Sequence, residues 1–302
     1  MSDEFDQVRS FVFEGYPVRG AWVRLKASFL ANCAHHDYPL VVRTVLGEAL
    51  AASVLLGNSI KLNGLMTLQL QGPGPLTLLV VQLTDRLSFR GVARYQTPLP
   101  VDATSLKALS GEGSLFVTID QANSDHRYQG IVAMGEGSLA HSLQDYFERS
   151  EQLPTKLWLR CDGEVVTGFM VQKLPGSGAA EASAVGAAES ADFFEECEIL
   201  ANTVTGAEWL NTDCETLLHR LFHERDVRLF ESKPVFFQCG CSRERVDGIV
   251  RSLGQEEVES ILVEQGVIDI RCEFCNRLWS YDAVDAKTLL ATDVLLGSKQ
   301  RH

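Results

Sequence analysis

Two pairs of cysteines near the C-terminus, Cys239-Gly240-Cys241 and Cys272-Glu273-Phe274-Cys275, are separated by 30 residues that contain no other cysteine. Four thiolates brought together can hold one zinc ion tetrahedrally, with Zn–S of about 2.3 Å, or close into two short disulfides. Cys-x-x-Cys is a common zinc half-site, because its turn lets backbone N–H groups bond the sulfurs. Cys-x-Cys is rarer: in an extended chain its side chains share a face while their Cα atoms lie about 6.5 to 7 Å apart. Gly240 can bend that stretch toward the roughly 4.4 to 6.8 Å that a disulfide spans, and a bridge formed there would be strained and reducible. Arg243, Arg245 and Arg271 lie within a few residues of the sulfurs. Cations so placed favour thiolate over thiol, the form that binds metal and that oxidants attack. On spacing alone, a zinc that only holds a small domain together fits as well as one that responds to oxidation.

The elements that must present these cysteines occupy residues 232–302. Amphipathic stretches Arg243 to Leu253 and Gln255 to Gln265, the second closed by Gly266, lie between the pairs. A β-like Val267 to Ile270 precedes the second pair; Leu278 to Tyr281 and a helix from about Asp282 to Leu296 follow it. About sixty residues is marginal for an independent core, and a bound metal is the usual remedy. Loss of a structural zinc worth about 10 to 16 kcal/mol in small zinc peptides would exceed the stability of such a unit, so oxidation of the ligands should unfold it.

Residues 175–231 read as a flexible, acidic helical linker. Pro175 to Ala191 is rich in Ala, Gly and Ser and reads as a tether. Phe193 to Val204 and Leu210 to Arg225 read as helices, the second with Asn211 or Thr212 as N-cap and an apolar face of Leu210, Cys214, Leu217, Leu218, Leu221 and Phe222. Acidic and basic residues number 17 and 15 over residues 1–180, 12 and 3 over 181–231, and 11 and 9 over 232–302. The helical segment thus carries most of the net charge of −13, and its docking on the preceding domain is expected to be marginal. Unfolding of the zinc unit could release it and expose apolar surface on both.

Residues 1–174 read as an α+β domain of antiparallel strands packed with helices. Strands are expected at Val18 to Leu25, Leu65 to Leu70, Leu76 to Leu83, Leu87 to Tyr95, Ser114 to Ile119, Tyr128 to Ala133, Leu157 to Arg160 and Gly168 to Gln172. Val42 to Leu56 and Ser138 to Arg149 have helical periodicity.

The 302 residues, 45% hydrophobic and 22% charged, exclude a disordered chain and suggest two or three units. The polar, acidic start lacks a secretory leader's apolar stretch, and no run reaches the roughly 18 apolar residues of a membrane span. These features predict a cytoplasmic protein, in whose reducing surroundings eight cysteines point to metal or redox chemistry rather than a disulfide scaffold. Neither end is basic, which argues against nucleic acid as partner.

Other clusters have plainer readings. Cys33, His35, His36 and Asp37 read as a helix end rather than a catalytic group. Cys161, Cys197 and Cys214 read as small buried hydrophobes. Gly72-Pro73-Gly74-Pro75 lacks the Lys-Ser/Thr of a phosphate loop and reads as a turn, and Asp192, Glu195, Glu196 and Glu198 read as solvated charges.

Cys239-Gly-Cys-Ser-Arg-Glu-Arg245, Cys272-Glu-Phe-Cys275, His126-Arg-Tyr-Gln-Gly-Ile-Val132 and Leu143-Gln-Asp-Tyr-Phe-Glu-Arg-Ser-Glu-Gln-Leu-Pro154 together resemble the redox-regulated heat-shock chaperone thirty-three family. Asp37-Tyr-Pro39, Leu68-Gln-Leu-Gln-Gly72 and Arg90-Gly-Val-Ala-Arg94 extend the resemblance over nearly the whole chain. It implies an ATP-independent holdase, not an enzyme, whose reduced form binds one zinc per chain through Cys239, Cys241, Cys272 and Cys275 and is inactive. It further implies that oxidation pairs Cys239 with Cys241 and Cys272 with Cys275, ejects zinc, unfolds the switch domain and linker, promotes a homodimer and exposes surface for unfolding clients. The rival readings are a zinc-ribbon nucleic-acid-binding or regulatory protein, disfavoured by the near-neutral C-terminal unit, and a thiol oxidoreductase using Cys272 and Cys275, disfavoured by the missing βαβ context.

Overall fold

The computed structural model describes residues 5–60, 62–99, 106–122, 127–134, 137–175 and 187–297. The chain divides into two compact units, Met1–Gln238 and Cys239–His302. This division falls elsewhere than the boundaries expected at 174/175 and 231/232, because the acidic segment and the strands after it pack into the first unit.

The first unit is α+β. In chain order it contains β1 (Gln7–Phe13), β2 (Val18–Leu25), α1 (Ala27–Cys33), α2 (Leu40–Ser59), β3 (Gly64–Gln71), β4 (Leu76–Thr84), β5 (Ser88–Tyr95), α3 (Leu106–Ser110), β6 (Ser114–Gln121) and β7 (Arg127–Ala133). There follow α4 (Leu139–Tyr146) with a π-helical turn (Phe147–Glu151), β8 (Thr155–Cys161), β9 (Val166–Lys173), α5 (Ala187–Asn202), α6 (Gly206–Asn211), α7 (Cys214–Phe222), β10 (Val227–Leu229), β11 (Lys233–Pro234) and β12 (Phe236–Phe237). One sheet runs β10-β1-β2-β9-β8, with β11 also on β1, all antiparallel. The other runs β12-β5-β4-β3-β6-β7, antiparallel but for the β12–β5 edge.

Helix α2 packs on β2, β8 and β9 of the first sheet and on β3, β4 and β5 of the second. It corrects the expectation that no segment is apolar enough to span a membrane: this 20-residue helix contains an 18-residue window of mean hydropathy 1.7. Of that window 72% is buried inside the fold, as befits a core helix between two sheets. Close approach on the first sheet needs glycine. A Cβ at Gly168 would lie 2.9 Å from Leu55 Cδ1 and from Val23 Cγ1, and one at Gly20 would collide with the Phe11 ring.

The expected strands all form, with ends shifted by a few residues; β1 was not anticipated, while α1 ends at Cys33, where a helix end was expected. Strands β2 and β9 are buried almost continuously rather than on alternate residues, because the first sheet is covered on both faces. Helix α2 covers one face. On the other, Phe11, Phe13, Trp22, Trp158 and Phe169 meet Phe193, Cys197, Trp209, Cys214, Leu217 and Phe222.

Docking of the acidic segment is therefore extensive, against the marginal contact expected from its charge. Phe193, Trp209 and Phe222 are each at most 2% exposed. Burying one such side chain contributes about 1.5 to 3 kcal/mol, more than an exposed charge pair usually costs. The carboxylates lie mainly on the opposite face, and two of the four expected to be only solvated have partners: Glu196 pairs with Arg225 at 2.6 Å and Glu198 with Lys156 at 2.9 Å. Helix α5 begins at Ala187, inside the stretch expected to be tether; the rest of that expectation, over 176–186, lies outside the described residues. The helix expected over 210–225 is two helices. Thr212 is extended at ψ 135°, and Asp213, not Asn211 or Thr212, caps α7 by accepting from Thr216 N–H at 2.8 Å. Thr205 and Glu208 form a capping box at the start of α6.

The second unit comprises α8 (Arg243–Leu253), α9 (Gln255–Gln265), β13 (Ile268–Arg271), β14 (Leu278–Tyr281) and α10 (Ala283–Gly297). Ser242 caps α8, and Gly254 and Gly266 take positive φ at the helix ends, so local chemistry sets these boundaries. Its core is small: Val246, Val250, Val258, Ile268, Trp279, Tyr281 and Ala286.

Candidate metal centre

Cys239 and Cys241 sit just before Ser242, the N-cap of α8, where the chain is not yet committed to a helix. Cys272 and Cys275 occupy the loop of the β13–β14 hairpin, whose last pair is Arg271 with Leu278. That loop is tightened by Cys272 N–H donating to Arg277 O at 3.0 Å and Asn276 N–H to Cys272 O at 2.7 Å. Asn276 takes the left-handed φ of 54° that the turn requires, a conformation asparagine tolerates better than most residues.

The helix cap and the hairpin bring the four sulfurs within 4.8 Å of one another. Cys239 Sγ lies 3.5 Å from Cys272 Sγ, and Cys241 Sγ 3.4 Å from Cys275 Sγ. A tetrahedral ion with metal–sulfur bonds of about 2.3 Å holds its sulfurs about 3.8 Å apart, so a small inward or outward adjustment seats it. All eight cysteines are free thiols. Four sulfur donors in this arrangement suit zinc or iron.

The thiols do not ionise alike. Burial works against the charged form of Cys239, but hydrogen bonds from Cys241 N–H and from the thiols of Cys275, Cys272 and Cys241 outweigh it and hold its pKa below the ordinary cysteine value. Burial, followed by hydrogen bonds to Cys275 and Cys239 and the charge on Cys239 and Cys272, drives Cys241 far up. Burial also raises Cys275, against a hydrogen bond from Arg277 N–H. Four sulfurs this close cannot all carry charge unaided, and a divalent cation is what would let them ionise together.

The arginines expected to favour thiolate are placed unequally. Arg245 Nη1 donates to Gly240 O at 2.7 Å, between the first two cysteines. Arg243 lies 3.4 Å from Asp247 and over the Tyr281 ring at 4.3 Å. Arg271 ends β13, exposed, directly before Cys272.

Elsewhere Cys33 is buried at the end of α1, and burial pushes its thiol up to about 11. Burial likewise takes Cys161 and Cys197 up to about 12, while Cys214 is buried without exposure. Such thiols are poor nucleophiles at neutral pH. His36 stacks on Tyr38 at 4.9 Å beyond α1, and Gly72 to Pro75 form the β3–β4 turn, whose Gly74 N–H donates to Ser110 O at 2.9 Å. Sequence reasoning singled out neither Glu48, whose carboxyl burial raises to about 7, nor a cluster in which Tyr146 donates to Glu151 at 2.8 Å and Tyr128 contacts both. Tyr128, Tyr146 and Glu151 all lie in motifs quoted above, which was the available signal.

A model of the Hsp33 protein family matches residues 6–282 of the chain. The 33 kDa chaperonin of Methylobacillus flagellatus is 43% identical over 299 residues, covering 98% of this chain and 99% of that protein. That of Nitrosococcus oceani is 44% identical over 289 residues, covering 96% of each. The crystal structure of the 33 kDa chaperonin (heat shock protein 33 homolog) of Thermotoga maritima is similar in fold, with a TM-score of 0.80 at 22% identity, covering 96% of this chain and 99% of that one.

Proposed function

The chain belongs to the Hsp33 family of chaperones, and from that premise we propose that it is a redox-regulated, ATP-independent holdase for unfolding proteins. The observation that carries the proposal is the gathering of Cys239, Cys241, Cys272 and Cys275 within 4.8 Å in a unit with a small apolar core. In the reduced state these sulfurs hold one zinc ion, which supplies the positive charge they need to ionise together and ties the α8 cap to the hairpin. Arg245, bonded to Gly240 between two of them, with Arg243 and Arg271 nearby, adds cationic charge that favours thiolate.

Peroxide takes two electrons from each pair of thiolates, forming Cys239–Cys241 and Cys272–Cys275 disulfides while the peroxide oxygens leave as water. Disulfide sulfurs are poor ligands, so Zn2+ departs and the switch unit, residues 239–302, loses its main support. With the switch unit unfolded, mild heat is what then overcomes the aromatic packing of the acidic segment, residues 175–231, and frees it. Its release bares an aromatic surface on both sides: Phe11, Phe13, Trp22, Trp158 and Phe169 on the sheet, Phe193, Trp209 and Phe222 on the helices. That surface holds clients and pairs oxidised chains as a homodimer, in the cytoplasm and without nucleic acid or membrane.

The test couples zinc content, thiol count and activity. Peroxide with mild heat should release one zinc per chain, consume four thiols and confer suppression of a client's thermal aggregation. Retained zinc after oxidation, or release without gain of activity, would refute the switch. Salt-dependent binding to DNA or RNA would instead favour the zinc-ribbon reading.

A further inference from the structure

We propose that the outer edge of β5 is a concealed pairing site that takes an extended segment of an unfolding client as an added strand, in the place that β12 fills in this structure; the proposal rests on the switch described above. Strand β12 is two residues long and runs parallel to β5, with Phe236 beside Ser88 and Phe237 beside Phe89. Phe236 N–H donates to Leu87 O at 3.3 Å and Gln238 N–H to Phe89 O at 2.9 Å. Val235 N–H turns the other way, to Asp6 O at 2.8 Å, so alternate amides serve alternate sides. The side chains alternate too: Val235 is buried, Phe237 packs against the main core, and Phe236 stands outward at 41% exposure.

Farther along, the same edge is closed by side chains. Asn32, 1% exposed, accepts from Gly91 N–H at 2.7 Å and donates to Gly91 O at 3.1 Å, and the Tyr38 hydroxyl accepts from Ala93 N–H at 3.1 Å. An edge strand with bare amides and carbonyls pairs with other chains, and plugs of this kind suppress it. At Leu87 and Phe89, by contrast, the plug is main chain, and it leads straight into the cysteine centre: Gln238, which holds Phe89 O, is followed by Cys239.

Once residues 239–302 unfold, β12 has no ordered chain beyond it, and a two-residue strand so placed frays. Leu87 O and Phe89 O are then acceptors without donors, beside the apolar seats that Val235 and Phe237 leave. The present occupant defines what fits there: an extended segment with free amides and large apolar residues two apart. Core strands of unfolding proteins carry that pattern. Asn32 ends the site after these two carbonyls, so a client is held by few hydrogen bonds and leaves without ATP.

The experiment uses the full chain and, as probe, a fluorescent peptide of residues 232–238, whose anisotropy reports binding. The chain oxidised by peroxide under mild heat should bind it at least about a hundredfold more tightly than the reduced, zinc-loaded chain, in which the edge is occupied. N-methylation of the peptide at Phe236 and Gln238, the amides that reach β5, should weaken binding at least about tenfold, while N-methylation at Phe237 should change little. A thermally unfolded client should displace the peptide. Phe236→Pro removes the donor to Leu87 O, so the reduced variant, its zinc retained, should bind the peptide about tenfold more tightly than reduced wild type. Zinc and thiol counts on the same samples keep the outcomes apart. Zinc retained after oxidation overturns the switch and the proposal with it. Zinc released without peptide binding, equal binding by every methylated peptide, or unchanged affinity in F236P overturns the edge alone. A peptide that dissolves the oxidised homodimer but is not displaced by client makes a second copy the occupant and overturns the client's place there.

Discussion

The two units bury apolar surface on different scales, and each has a different dependence as a result. In the first, a second core beyond α2 is built of rings: Phe13 meets Phe193 and Phe222 edge-on at 4.9 Å from each, and Phe169 lies 5.2 Å from Trp209. The second unit gathers a small set of core side chains and leaves Ile249, Leu253, Val263, Leu278 and Val284 at 40% exposure or more. A segment carrying nine excess negative charges is nonetheless held by packing. A near-neutral unit of about sixty residues is small to be held that way, and the proposed function makes it conditional on a metal at its four cysteines. Charge density, which suggested the opposite order of robustness, is the weaker influence.

Metal removal should give the largest separation between them. Chelation, or Cys272→Ser, should abolish amide protection across α8, α9 and the β13–β14 hairpin, because structural zinc supplies about 10 to 16 kcal/mol in small zinc peptides. Protection of β2, β9 and α2 should survive. Persistent protection of α8 and α9 without metal would show that the small core suffices and would erase the contrast. Next in size is Trp209→Ala, which removes a fully buried ring and should cost about 3 to 5 kcal/mol. The loss should appear as faster exchange in α5 to α7 ahead of α2. A global loss with no such preference would mean that the acidic helices and the central helix form one cooperative block.

Legibility from sequence follows the same divide. The second unit's helices were readable nearly to the residue because Ser242, Gly254 and Gly266 set their ends locally, and the cysteines were readable from spacing. Strands β2 and β9 were readable as strands, but that both their faces are covered depends on α2 and α5 to α7 arriving from distant sequence. The acidic segment misled because charge was averaged along the chain, whereas its carboxylates and its Phe193–Cys197–Trp209 stripe occupy different faces. The strand pairs β10 to β12 have no strong local signal, since tertiary hydrogen bonds make them; the break at Thr212 had one, the Asp213 cap of α7, in place of which Asn211 and Thr212 were read as caps. Arg243 illustrates the limit for the site: its position near the thiols was legible, its engagement with Asp247 and Tyr281 was not.

Within the first unit, Glu48 tests how strictly α2 is sealed between the sheets. Burial raises its carboxyl to about 7, with Arg160 opposing. A carboxyl whose folded pKa exceeds its unfolded value binds an extra proton in the folded state, so stability falls as pH rises from about 4.5 to 7. Glu48→Gln should therefore stabilise the chain at pH 8 by on the order of 1 to 3 kcal/mol and change little at pH 4. Equal effects at both values would mean that Glu48 is hydrated and the first core less closed than its packing indicates.

The smallest effect concerns how far packing alone secures the acidic helices. Hydrogen bonds from Thr216 overcome burial to hold the Asp213 carboxyl below its ordinary value, and the Thr205 backbone N–H does the same for Glu208. Groups depressed in the folded state stabilise it above the unfolded pKa, and that contribution is lost as pH falls below about 4 through the folded value. Asp213→Ala removes the α7 cap and should cost about 1 kcal/mol at pH 7, with less difference from wild type at pH 3. Since rings rather than caps hold this segment, the variant should speed exchange at the first turn of α7 while leaving Trp209 fluorescence unchanged. A red shift of that emission would show the aromatic contact yielding with the cap, and would place the acidic helices nearer the second unit's conditional kind of stability than the first unit's.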